Sequence, residues 1–415
     1  MLPTMRTAGP APANPNQEPG GAAARFGIGL AGFCAFLGVY ASQPLLPTLE
    51  RLFGVGKGTA ALTVSAPTIA VALASPFAGL LAARLGHRRL IVAALFTLSV
   101  PTVLAATARS IGALVAWRFA QGLAVPFAYA VAVAFIAEEW PAHGVGRAMS
   151  ALVAGNVVGG FTGRVLSGAA AQWAGWRASF VVLGLLTAGC AFAAARALPR
   201  GGTRRVHGPA GPRFRLGLLA REPRLLATFA VGFNVLFTLV ATFTYVTFYL
   251  AAPPFLLGAT ALSWIFVVYL VGALVMPFAG RWIDRVGSRL AISTALAGAV
   301  LGSVLTLAPS LWAVELGLAA LCTAVFVSQA ASTSFLRTAA PPEARSAASG
   351  VYVSFYYLGG AVGGVLPAAL WHLGGWPACV ALVAAVQLVT LVIAWRFWRP
   401  VEAAEPETTE AALLA

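Results

Sequence analysis

Long apolar stretches recur through this chain, each about 20 residues and divided from the next by a short polar break, and they decide what it can fold into. A helix of roughly 20 such residues crosses the ~30 Å hydrocarbon core of a bilayer. No water bonds the backbone there, so a continuous apolar segment must satisfy its own amides, as a helix does. Composition agrees: 60% of the residues are hydrophobic and 9% are charged, too few charges to cover a water-soluble surface of 415 residues. The apolar segments run over 26–48, 59–83, 90–107, 110–137, 147–170 and 177–197, then over 225–250, 260–283, 289–308, 311–336, 345–370 and 375–397. The expected fold is an all-α integral membrane protein of twelve transmembrane helices.

Charge gives the orientation. A formal net charge of +15 would point to nucleic acid in a soluble chain. Here 21 of the 27 basic residues fall in one alternating set of loops and tails. Arg51, Lys57, Arg109 and Arg177 fall in the other set, and Arg118 and Arg164 fall inside helices. That asymmetry marks a cytoplasmic side, places both termini there, and makes the lipid bilayer rather than nucleic acid the partner. Residues 1–25 lack a basic region leading into a short apolar core, so they read as a disordered cytoplasmic tail and not as a signal peptide. Residues 399–415 read as a second tail with several acids. The polar stretch 198–224 carries Arg200, Arg204, Arg205, Arg213, Arg215, Arg221 and Arg224 and divides 26–197 from 225–398. Its arginines suit either a lipid-headgroup anchor or a solvated, orientation-setting linker.

The two parts are related. The segment 79-GLLAARLGHRRL-90 resembles 280-GRWIDRVGSRLA-291, with Gly79 and Gly86 matching Gly280 and Gly287. At nearly the same offset, Gly159, Gly160, Gly163 and Trp176 match Gly359, Gly360, Gly363 and Trp376. Such a duplication predicts two pseudo-symmetric six-helix bundles related by an axis along the membrane normal.

The repeated loop resembles the signature of the major facilitator superfamily, G-x-L-a-D-r-x-G-r-k. In the first copy the matches are Gly79, Leu81, Arg84, Gly86 and Arg88, with Ala83 in place of the acid; in the second they are Gly280, Asp284, Arg285 and Gly287. The segment 118-RFAQG-122 is similar to the superfamily's R-x-x-q-G motif. The segment 155-GNVVGGFTGRVLSG-168 stands where exporters of the superfamily usually carry a Gly-Pro pair, and it has no proline. With 40-YASQPLLP-47, 138-EEWP-141 and 352-YVSFYYLGG-360, the chain resembles the YnfM-type bacterial inner-membrane transporters. The resemblance implies a monomeric secondary transporter of the cytoplasmic membrane working by alternating access, with proton-coupled efflux of small amphipathic compounds as the expected activity. Import or exchange of a small organic anion at Arg118 is the alternative that the missing Gly-Pro pair and the scarcity of buried acids keep open. The resemblance also implies a cytoplasmic gate. In it, Gly79 and Gly86 make the turn, Arg84 and Arg88 face Glu138 and Glu139, and Gly280, Asp284, Arg285 and Gly287 do the same in the second half.

Inside the helices, Arg118 lies roughly 12 Å from the helix start, where a guanidinium needs water or partners. It is expected to face a central cavity; a structural arginine bonded to backbone carbonyls is the other reading. Tyr40, Gln43, Asn156, Asn234, Tyr245, Gln329, Tyr352 and Tyr356 either line that cavity or bond helix to helix. Arg164 is expected to snorkel to the outer surface. Glu315 and Glu139 are the candidates for proton coupling, although neither lies near a helix midpoint. Gly155, Gly159 and Gly163, with Gly359, Gly360, Gly363 and Gly364, give small-residue faces that let helices approach closely. Those faces are expected at the junction of the two halves. No enzyme is expected: the segments hold no nucleophile–base pair, and Cys34, Cys190, Cys322 and Cys379 read as packing residues. The histidines have no metal-ligand spacing and no phosphate-binding G-x-x-x-x-G-K-[ST] loop occurs, so neither metal, cofactor nor nucleotide is expected.

Overall fold

In a computed structural model, which describes residues 21–141, 144–199, 221–341 and 344–398, the apolar segments become helices. The first, α1, is Ala22–Leu37; the chain then turns over residues 38–42 and resumes as a 3-10 turn, Gln43–Leu45, and a short helix, Leu46–Phe53. Then follow α2 (Lys57–Leu85), α3 (His87–Thr107), α4 (Ile111–Glu139), α5 (Val145–Ala174) and α6 (Trp176–Ala197). The second half is α7 (Pro223–Ala251), α8 (residues 259–286), α9 (Ser288–Leu305) and α10 (Leu311–Ala339), followed by the helical run Arg345–Phe397. That run breaks at Gly374 and Gly375 into α11 (residues 345–373) and α12 (residues 376–397). The tails expected at 1–25 and 399–415, apart from residues 21–25, and the linker arginines Arg200, Arg204, Arg205, Arg213 and Arg215 lie outside the described residues.

Glycine makes the sharpest reversals. Gly86 between α2 and α3 and Gly287 between α8 and α9 both have φ +81°, and Gly175 and Gly375 repeat at +79° and +61°. A side chain is strained at such angles, so the chain bends at matching places in each half. A second matched pair braces the outer helices. Arg88 of α3 donates to the Ala195 and Leu198 carbonyls at the end of α6 (2.5 and 3.1 Å), and Arg289 of α9 donates to the Trp395 carbonyl of α12 (2.7 Å). Leu80, Leu274, Leu301 and Trp312 stand exposed on the outside, as a surface facing lipid requires. The end carrying the α2–α3, α6–α7 and α8–α9 connections is the basic end; the opposite one is the far end.

The glycine faces differ from expectation. Gly155, Gly159 and Gly163 of α5 press on the carbonyls of Gly29, Phe33 and Leu37 of α1, and Gly359 and Gly363 of α11 press on those of Phe233 and Phe237 of α7. Gly360 packs on Leu236 and Val240 of α7. These seams lie inside each half rather than between halves, because contact this close leaves two helices no room to slide. Of the seven, Gly364 faces the other half, against Ser65 of α2. A Cβ on Gly163 would overlap the Leu37 oxygen, whereas one on Gly160 would meet only Arg164 Nη1 at 3.4 Å. Gly163→Ala should therefore cost about 1–3 kcal/mol and lower the melting temperature of the purified protein, while Gly160→Ala leaves it unchanged.

Candidate substrate site and gate

The site begins with a break in a helix. Where α1 stops, the carbonyls of Gly38 and Val39 lose their helical donors, Gly38 keeping one turn bond from Ala41 N–H at 3.2 Å, and hydrocarbon supplies no water to replace them. A third orphan lies alongside: Pro67 has no N–H, so the Thr63 carbonyl four residues earlier in α2 is unbonded within its helix. Arg118 of α4 reaches all three. Its Nη1 donates to Gly38 O at 2.7 Å, its Nη2 to Val39 O, and its Nε to Thr63 O at 3.0 Å; Nη1 also bonds Gln121 Oε1. Ser42 Oγ adds a second bond to Thr63 O at 3.2 Å. Gly122 completes the motif, since a Cβ there would overlap the Pro67 oxygen. Arg118 is fully buried, so the expectation that it faces the cavity gives way to the carbonyl-bonded arrangement. The signal was in the sequence: Pro67 stands four residues after Thr63. Arg118→Leu keeps the bulk but strands the Val39 carbonyl and the Gln121 amide oxygen, leaves Gly38 O and Thr63 O with one 3.2 Å bond each, and should lower stability by about 2 kcal/mol in thermal melts of detergent-purified protein.

Past the break, residues 38–45 carry Tyr40 and Gln43 inward to Arg164 of α5. Gln43 Oε1 accepts from Arg164 Nε at 2.8 Å, and the Gly160 carbonyl accepts from Nη1 at 2.8 Å. The guanidinium carbon lies 5.0 Å from the Tyr40 ring centre and 4.6 Å from those of Phe266 and Tyr269. Arg164 does not snorkel. It is 2% exposed and held between rings of both halves. Toward the basic end, Tyr356 of α11 stands among phenols, with Tyr352 and Tyr357 against it and Tyr40 and Tyr129 in its neighbourhood. The Tyr356 ring centre is 6.4 Å from that of Tyr352 and 5.3 Å from that of Tyr357. Tyr352 shares a 2.7 Å hydrogen bond with Ser332, and Asn156 Nδ2 donates to the Tyr129 hydroxyl at 3.5 Å. Tyr129, Tyr269, Tyr356 and Tyr357 keep part of their surface open.

Of the eight expected cavity residues, Tyr40, Gln43, Asn156, Tyr352 and Tyr356 join this group. Gln329 lies nearby on α10, where its carbonyl accepts from Ser332. Asn234 and Tyr245 are fixed elsewhere: Asn234 Oδ1 accepts from Thr238 within α7, and the Tyr245 hydroxyl donates to the Gly364 carbonyl at 2.9 Å. Tyr129, Tyr269, Tyr357 and Arg164 were missed. The available signal was the tyrosines themselves, since six of the chain's eight meet here and a phenol within hydrocarbon needs a polar neighbour.

Contacts between the halves gather toward the far end. Among the described residues, the cross-half hydrogen bonds are Gln43 Nε2 to Thr244 Oγ1 (3.4 Å) and Thr260 Oγ1 to the Gly168 carbonyl (3.2 Å). Lys57 of α2, paired with Glu50 at 2.7 Å, lies over the rings of Phe248 and Trp371 at 5.5 and 5.4 Å, and Phe161 meets Trp264 edge-on. At the basic end the expected arginine–glutamate pairs are replaced. His87, buried in the α2–α3 turn, donates through Nδ1 to Glu139 at 2.7 Å and has Nε2 3.7 Å from Glu138. Arg88 turns to α6 instead, and Arg84 is exposed. Asp284 and Arg285 are exposed, with no ion pair among the described residues.

Two bundles of membrane-crossing helices enclosing a polar group between them define a carrier rather than an enzyme. The Major Facilitator Superfamily profile matches residues 28–253 and 235–414, and the chain belongs to that superfamily of transporters. It is 28% identical to the uncharacterized MFS-type transporter YybF of Bacillus subtilis, over 88% of this chain and 91% of that one. It is 27% identical to the inner membrane transport protein YnfM of Escherichia coli, over 90% of each. Among solved structures it resembles a mutant of the nucleoside transporter NupG with a TM-score of 0.76 and 12% identity, over 90% of this chain and 100% of that chain. It also resembles a bacterial homologue of the human lysosomal transporter Spinster, in an inward-facing and occupied conformation, with a TM-score of 0.73 and 16% identity, over 92% and 96%.

Proposed function

We propose that this superfamily member is a monomeric carrier of the bacterial cytoplasmic membrane, with its basic end and both termini inside, that exports small amphipathic compounds by alternating access. The observation that carries the reading is the one-sided seal: the cross-half bonds of the described residues lie toward the far end, beyond the tyrosine group. With the basic loops inside, the described state is inward-facing, as in the similar Spinster homologue. A solute entering from the cytoplasm would meet Tyr352 and Tyr356 first and the Arg164 plug last.

The opposite state requires the basic ends of the halves to meet. Arg84, Asp284 and Arg285 are exposed on those ends and available to pair when they do. The glycine turns at Gly86 and Gly287 hold them there; Gly79 and Gly280, expected in the turns, lie inside α2 and α8. Proton antiport is the part that the superfamily resemblance carries. Its candidate on this chain is Glu139, bonded to His87, ahead of Glu315, which has no ion pair among the described residues. Purified protein in proteoliposomes should exchange labelled amphipathic solutes and move protons opposite to them. Exchange without proton movement would remove antiport, and a panel of acids, amines and neutral solutes with no exchange at all would remove the carrier reading.

A further inference from the structure

We infer that the group this carrier recognises is an anion, a carboxylate on a small planar or aromatic solute, and that Arg164 binds it; the inference rests on the carrier reading above. Two arginines, Arg118 and Arg164, lie within the membrane-crossing helices away from their ends. The described acids, Glu50, Glu138, Glu139, Glu222, Asp284 and Glu315, all lie at helix ends or beside them. The interior is therefore cationic with no carboxylate to balance it, and an unbalanced charge in a low-dielectric interior is costly.

The two arginines differ in what is left over. Arg118 has three carbonyls and the Gln121 amide oxygen around its guanidinium. Arg164 has two acceptors, Gln43 Oε1 and the Gly160 carbonyl, and among the described residues Nη2 has none. The rings of Tyr40, Phe266 and Tyr269 cover its faces without supplying an acceptor in its plane. An incoming carboxylate would take the free edge of the fork, a charge-assisted bond that also balances the buried charge. The Tyr40 and Tyr269 rings at the guanidinium offer a planar body offset stacking. A cationic solute fits poorly, because the aromatic faces nearest the plug are already occupied by the guanidinium.

Calorimetric titration of the purified full-length chain with aromatic and aliphatic monocarboxylates, benzoate first, tests this against each acid's amide and against benzyltrimethylammonium. Benzoate should bind at least tenfold tighter than benzamide, and the cation should not bind. Arg164→Gln should erase the difference between acid and amide, and Arg164→Lys, which keeps the charge and loses the fork, should weaken benzoate about fivefold. Amides binding as tightly as their acids, or an acid preference that survives Arg164→Gln, would overturn the assignment. Should Arg164→Gln not fold, unchanged acid binding by Arg164→Lys together with equal acid and amide affinities in the unaltered protein overturns it equally. Counterflow of a neutral or cationic solute with no carboxylate bound sinks the anion site and leaves the carrier standing; no counterflow of any solute sinks the carrier reading itself.

Discussion

In a medium without water, a carbonyl released by a broken helix has to be bonded by something that a side chain brings in, and Arg118 does this for the break in α1 and the proline gap in α2 together. The rest of the site hangs on that bond set. The break lets residues 38–45 leave the α1 axis, which turns Tyr40 and Gln43 toward α5. Gln43 then fixes Arg164, and Arg164 carries the rings of α8 from the other half. A charge that looks like a ligand-binding group in the sequence is thus structural. A charge that looks interfacial closes the space between the halves.

The halves and their junction differ in their balance of interactions. Inside each half, glycine brings α5 onto α1 and α11 onto α7 until a methyl group would overlap a carbonyl oxygen. Packing of that kind has one arrangement and moves as a unit. Between the halves there are ring contacts, cation–ring contacts of about 0.5–2 kcal/mol each, two hydrogen bonds among the described residues, and glycine approaches of Gly364 to Ser65, Gly168 to the Ala259 carbonyl and Gly58 to Ala368. These contacts join one bundle to the other and none is needed inside either, so the far end can part without disturbing either bundle. Rigid units with a soft, one-sided seal are what rocking between two accesses requires.

The fold was legible because its cause is local: each apolar segment of bilayer length has one backbone solution, and a duplicated loop shows at a constant spacing. Single side chains were harder, because a helix that is apolar all round does not reveal which neighbour each face will meet. Gly155, Gly159 and Gly163 announced close packing but not that α1 was the partner. Arg118 and Arg164 exchanged expected roles, and Pro67, which explains the first, lies on another helix. His87 showed no metal-ligand spacing in the sequence, and only the folded chain sets it against Glu138 and Glu139.

The claim on which the account turns is that the far end must open for solute to cross. Gly58 of α2 and Ala368 of α11 face each other there, with a Cβ on Gly58 falling 2.8 Å from that of Ala368. The decisive measurement is counterflow in proteoliposomes by Gly58→Cys/Ala368→Cys, with the four native cysteines replaced, before and after oxidation. The cross-linked protein should carry nothing and regain its rate on reduction. A cross-linked protein that exchanges solute at the uncross-linked rate would contradict the account.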